Sequence, residues 1–327
     1  ATGGIGGHNP LEFADIYGAS GLNPASTVDV AVFGWGAMNL TLDDLAQFES
    51  ENSLTPTTTN VVCVDYGGYN SGVVNTTDPT CENYDEGTVE WDIDSQDIVA
   101  MSGGVQSLTF FAAYGGYNGS VTNALAEIVT PTADEPLATV VNQSFGECER
   151  FEDSGQGGDG SAQEDDALYA IGVAQGQTFS ASTGDSGADE CGDGGLNSAS
   201  YPASSPWNVA VAGTTLNASS TTYSRETEWV GSGGSPSSFE ISPDWQTGLT
   251  YGAFAGFRGP DVAFDANPNS GAIVITYGED SQWGGTSLAS PIFVGAWARL
   301  IANGDVDTSQ AGPQLYAMPA SDFHDIT

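Results

Sequence analysis

The sequence has no lysine, and its 327 residues set four arginines and two histidines, His8 and His324, against 43 aspartates and glutamates. The formal net charge of -39 at pH 7 comes from missing bases, because charged residues make up only 14% of the chain against about 25% in an average protein. Such a surface repels phosphate backbones and anionic headgroups, which excludes nucleic acid and electrostatic membrane docking. No apolar run approaches the ~20 residues of a membrane-spanning helix. Disorder is excluded as well, since 39% hydrophobic and 10% aromatic residues suffice for a core.

The chain opens Ala1-Thr2-Gly3-Gly4, with no methionine or apolar leader, and is expected to be a mature form whose targeting and pro-segments have been removed. Its four cysteines allow three pairings. Sequons at Asn39, Asn75, Asn118, Asn142 and Asn217 carry meaning only in a secretory pathway. Together these features favour an oxidising, extracytoplasmic location. No repeat or linker divides the chain, so a single domain over 1–327 is expected.

Short apolar runs bounded by Gly, Pro or Asn read as buried strands at Val28 to Trp35, Val105 to Tyr114, Ala138 to Phe145, Thr178 to Thr183, Val209 to Thr214 and Ala272 to Thr276. Their continuous hydrophobicity predicts an α/β fold with a mainly parallel sheet covered by helices on both faces. Helices are predicted from about Thr88 to Met101, from about Glu164 to Gln175, and after Gly285. In the last of these, Phe293, Trp297, Leu300 and Ile301 share one face and Gly304 supplies the stop.

Three segments carry chemistry. Gly285-Thr286-Ser287-Leu288-Ala289-Ser290-Pro291 leads into the last helix, where a serine sits among outward-pointing N–H groups. Capping alone could account for Thr286 or Ser287, but the whole string resembles the nucleophile signature of subtilisin-like serine peptidases. Neither histidine lies in the setting that such a triad requires, and without lysine the base must be a carboxylate. Glu90 and Asp94 stand at i and i+4 of the Thr88 helix, near enough to share a proton. The plainer explanation is a solvated acidic face near a helix N-terminus, which suits Asp92 and Asp97 better. In Ser182-Thr183-Gly184-Asp185-Ser186-Gly187, at the end of a predicted strand, Asp185 is either a turn residue or a neutral carboxyl able to donate to an oxyanion.

Together the three segments resemble the sedolisin family, the serine-carboxyl peptidases, in which glutamate replaces histidine on a subtilisin-like three-layer α/β fold. The resemblance implies Ser287 as nucleophile, Glu90 as general base and acid, Asp94 as its orienting partner and Asp185 as oxyanion donor. It also extends to Arg258-Gly259-Pro260-Asp261-Val262, to Trp91 beside the glutamate, and to Ser144-Phe145-Gly146, a segment implied to pair with the substrate backbone. A Cys148–Cys191 bridge across the cleft is implied in turn, which leaves Cys63 and Cys81 to close a local loop. Asn142 in the preceding strand is expected to carry no glycan.

Family members bind a structural calcium through a C-terminal segment that begins at an Asp-Ile pair. Here Asp325 and the Ile326 carbonyl match that opening, and the sequence then ends at Thr327. The rest of the site is expected to be missing by truncation, to be disordered, or to belong to a separate C-terminal light chain. The implied activity is acid endopeptidase action on protein and peptide substrates, by a monomer that is secreted or held in an acidic vacuole or lysosome. Alternatives are a tripeptidyl exopeptidase of the same family, a catalytically silent acidic calcium-dependent binding domain, and a salt-adapted subtilisin-like enzyme.

Overall fold

The computed structural model describes residues 7–65, 73–75, 80–81, 87–116, 118–131, 136–194, 198–249 and 258–326. Its strands in chain order are β1 (Asp29–Trp35), β2 (Thr59–Asp65), β3 (Val73–Asn75), β4 (Ser107–Ala113), β5 (Val140–Gln143) and β6 (Glu147–Cys148). There follow β7 (Thr178–Ser182), β8 (Ser200–Tyr201), β9 (Asn208–Ser219), β10 (Thr222–Glu228), β11 (Val262–Asp265), β12 (Ala272–Thr276) and β13 (Glu279–Trp283). The helices are α1 (Pro10–Ile16), α2 (Thr41–Glu51), α3 (Thr88–Ser102), α4 (Asn118–Val129), α5 (Glu149–Glu152), α6 (Ser161–Ala174), α7 (Thr286–Asn303) and α8 (Ala311–Ala317).

The central sheet runs β10-β9-β7-β5-β1-β4-β2-β3, with β11 also joined to β9. It is parallel from β9 to β2 and antiparallel at both margins. Alternation along the inner strands feeds two cores. Val30, Val32, Leu108, Phe110, Val140 and Val211 face α3 and α7. Ala31, Phe33, Val64, Phe111, Val141 and Phe179 face α4 and α6. Because both faces are buried, the inner strands read as uninterrupted apolar runs. This three-layer arrangement is the predicted α/β architecture.

One predicted strand has a different place. Ala272–Thr276 lies outside the sheet, in a hairpin with β13. It is apolar because it packs against α1 and α3, and buried Gln96 pairs with both backbone groups of Ile275 at 2.7 and 2.8 Å. Strand β5 stops at Gln143, so Ser144, Phe145 and Gly146 form the connection beyond its carboxyl end. Gly103 and Gly304 take left-handed conformations that end α3 and α7.

Two of the four arginines are internal struts. Arg258 forms a two-pronged pair with Asp261, with contacts of 2.6 and 3.0 Å, and both side chains are buried. Arg299 donates to the carbonyls of Met101, Ala19 and Leu22, closing the carboxyl end of α3.

Candidate active site

Helix α7 is preceded by Gly285, which adopts φ +108° and ψ 164° and thereby turns the chain abruptly after β13. A Cβ at this position would lie 2.6 Å from Asp185 Oδ2, so glycine is needed both for the conformation and for the space. Asp185 Oδ1 accepts from the Thr286 N–H at 2.7 Å and from the Thr286 hydroxyl at 3.0 Å. That hydroxyl accepts from the Gly184 N–H at 3.1 Å. The strand end after β7 is thereby locked to the start of α7, with Asp185 exposed beside Ser287.

Ser287 stands in the first turn of α7, partly exposed. Its hydroxyl is hydrogen-bonded to Glu90, which lies in the first turn of α3. Glu90 keeps some exposed surface, but its Oε1 is enclosed and has no hydrogen-bond partner among the described residues. Burial raises its pKa, the Ser287 hydrogen bond opposes the rise, and Asp185 adds to it. Asp94 is raised further, first by complete burial and then by Glu90, against the hydrogen bonds of Ser144 and Asn142. Two buried carboxyls one helical turn apart cannot both be ionised cheaply, so the pair retains a proton.

A buried polar chain holds this pair from below. Ser144 Oγ lies 2.6 Å from Asp94 Oδ1 and receives the Asn142 amide at 3.0 Å. Asn142 Oδ1 accepts from Ser290 at 2.7 Å, and Ser290 meets Ser180 at 2.7 Å. Pro291 has no N–H to offer the carbonyl four residues back, that of Ser287, which instead lies 3.3 Å from Ser144 Oγ. Histidine has no part here. His8 pairs with Glu12 at 2.8 Å, and His324 stacks on Tyr223 at 3.7 Å between ring centres.

Residues 94–311 match the profile of the Subtilase family. Across 99% of its length the chain is 38% identical to Sedolisin from Pseudomonas sp. (strain 101) and 33% identical to Xanthomonalisin from Xanthomonas sp. (strain T-22). The solved structure of Pseudomonas sedolisin, a serine-carboxyl proteinase complexed with two molecules of pseudo-iodotyrostatin, superposes with a TM-score of 0.82 at 38% identity, covering 96% of this chain and 86% of that one. The chain belongs to the sedolisin family of subtilases. It spans about half the length of the curated relatives it matches, 54% of Sedolisin and 41% of Xanthomonalisin.

Of the residues the sedolisin resemblance singled out, Glu90, Asp94, Trp91, Ser144, Phe145 and Gly146 line one cavity of about 290 Å³. Trp91 is almost wholly buried against Phe110 and Gly34 and contributes only an edge to the wall. The disulfides are Cys63–Cys81 and Cys148–Cys191. The second ties the segment after Gly146 to the one after Asp185, across the cleft. Asn142 is fully buried with both ends of its amide engaged, leaving no face for a glycan.

One expectation needs correction. Asp92 and Asp97 are buried rather than on a solvated face. Burial lifts Asp92 to about 9, with Asp44 adding to the shift, and raises Asp97 well above the usual carboxyl range with help from Asp265. Asp44 meanwhile accepts the Tyr277 and Gly278 N–H groups at 2.8 Å each. Sequence reasoning also passed over Asn142, Ser290 and Ser180 as members of the site; Pro291, four residues after Ser287, was the available signal that the Ser287 carbonyl needed a partner elsewhere.

Asp325 is exposed and Ile326 is half-buried. No group of three or more His, Cys, Asp or Glu side chains able to hold a metal converges among the described residues. Calcium takes six to eight oxygens, so these two residues do not by themselves form a calcium site.

Proposed function

We propose that this chain is the catalytic domain of a serine-carboxyl endopeptidase that acts in acidic surroundings outside the cytosol. The observation that carries the proposal is the enclosed Glu90 carboxyl hydrogen-bonded to the Ser287 hydroxyl, with Asp94 one turn behind it and both histidines engaged elsewhere. Ser287 Oγ attacks the scissile carbonyl carbon while Glu90 takes the hydroxyl proton. Asp185, in its neutral form, donates to the oxyanion from beside Gly285. Collapse breaks the C–N bond, Glu90 returns the proton to the departing amine, and the acyl-enzyme remains on Ser287. Water repeats the sequence, with Glu90 again as base, and releases the acid. Asp94 carries the shared proton and keeps Glu90 in place. Asp325 and the Ile326 carbonyl serve calcium only as part of a site completed by other residues, and a pro-segment or light chain belongs to the same proposal.

Cleavage of a denatured protein at pH about 4, near the range of model carboxyls, provides the test. Ser287→Ala and Glu90→Gln are each expected to slow it by about 10⁴-fold or more, as removal of nucleophile or base does in serine peptidases. Undiminished cleavage by either variant refutes the assignment.

A further inference from the structure

A second cavity of about 220 Å³ adjoins the catalytic one, and the two share Trp35, Phe145 and Gly146. Its remaining wall includes three carboxyl groups from separate segments: Glu147 in β6, Glu152 in α5 and Asp165 in α6. None of its lining residues is basic, and Arg150, next to this cluster in sequence, pairs with Asp193 at 2.7 Å. Asp165 is only 3% exposed. Its carboxylate takes one hydrogen bond from Thr122, and Oδ1 has no partner among the described residues. Both tyrosine hydroxyls of the wall are occupied. The Tyr169 hydroxyl donates to Gln143 and the Tyr201 hydroxyl meets Ala162 O and Asp166.

An enclosed carboxylate oxygen without a donor is costly, and the natural remedy is a cation that brings several donors. Burial and the neighbouring carboxylates Glu147, Asp165 and Asp159 push Glu152 up to about 9. Burial lifts Asp165 to about 7, opposed by Thr122 and helped by Asp166, Glu164 and Asp159. A cation entering here displaces a proton rather than meeting a fixed charge, so the selectivity it confers is modest. The indole of Trp35, set edge-on to Phe145 at 5.2 Å, offers an aromatic face at the junction of the two cavities, a second feature that suits a cation.

We infer that this cavity is a substrate subsite for a positively charged group, in which Asp165 and Glu152 bind the ammonium or guanidinium of a peptide whose scissile bond lies at Ser287. The inference rests on the peptidase proposal. Two sources share the chemistry, a lysine or arginine side chain and the substrate's own free N-terminus.

The test uses the full chain at the highest pH at which it still cleaves, where the fewest protons compete with the cation for Asp165 and Glu152, with a peptide library randomised on both sides of the cleaved bond and read by mass spectrometry. Matched peptides then carry lysine or norleucine at the selected position, each with a free or an acetylated N-terminus. The wild type is expected to favour lysine, or the free N-terminus, by about tenfold in kcat/KM, the scale of one charge-assisted hydrogen bond. Asp165→Asn is expected to bring that ratio close to one, and Glu152→Gln gives the same readout should the first variant fold poorly. Because both peptides meet the same variant, a general loss of activity cancels in the ratio. Cleavage of both peptides without preference, or a preference that survives both substitutions, overturns the subsite and leaves the peptidase proposal standing. Cleavage of neither peptide by the wild type overturns both. Preference for lysine regardless of acetylation identifies the side chain as occupant, and dependence on the free N-terminus identifies the terminal ammonium.

Discussion

Glu90 can accept a proton from a serine where a surface glutamate could not, because burial and its neighbours raise its basicity. The same logic makes Gly285 indispensable. A side chain there meets Asp185 Oδ2 and is strained at φ +108°, so Gly285→Ala is expected to displace Asp185, the proposed oxyanion donor. Peptide hydrolysis should fall by about 10²–10³-fold, the usual loss when one such donor is removed, with KM little changed. Steady-state kinetics check this, and unaltered kcat would show that Asp185 does not stabilise the oxyanion. The nucleophile motif, the i, i+4 carboxyl pair and the Asp185 turn were all legible as residues, because each depends on local spacing. The buried chain through Asn142, Ser290 and Ser180 was not, since it joins residues brought together only by packing of α7 on the sheet.

Among the elements, β1, β4, β5 and β7 were legible because burial on both faces removes polar positions from a strand. Strand β10 was not recognised, since it is a largely exposed polar edge, and β12 was misplaced because an apolar run specifies burial without naming its partner. Helix α4 carries apolar residues at Val121, Leu125 and Ile128, but Asn118-Gly119-Ser120 reads as a turn. The Arg258–Asp261 pair braces the start of β11 against β9, with Arg258 reaching the Asn208 carbonyl at 2.8 Å. Arg258→Met leaves Asp261 buried without its cation and is expected to cost about 3–5 kcal/mol. Urea denaturation measures that loss, and a midpoint equal to wild type would mean that the pair contributes no net stability.

At the scale of the whole molecule, the scarcity of bases gains a physical reading from the buried carboxyls. Asp92 and Glu152 are lifted to about 9 and Glu240 to about 8, each chiefly by burial. These groups hold protons in the folded chain that the unfolded chain releases above about pH 4. Their folded pKa values exceed the unfolded ones, so the native state binds more protons and stability falls as pH rises from about 4 towards 8 or 9. The melting temperature is therefore expected to drop between pH 4 and pH 7, and Asp92→Asn, which stays neutral, should flatten part of that drop. A melting temperature that climbs over this interval would contradict the account. The folded chain thus carries less than the formal charge of -39 at pH 7, because these buried carboxyls keep their protons there.

The dependence of kcat/KM on pH for a single peptide tests the carboxylate mechanism most directly. With a Glu90/Asp94 pair that must hold one proton, and with burial raising both of its carboxyls, the profile is expected to be a bell that rises as the pair gives up its first proton and falls as it gives up its second. A rate that climbs to a plateau with no falling limb would contradict it.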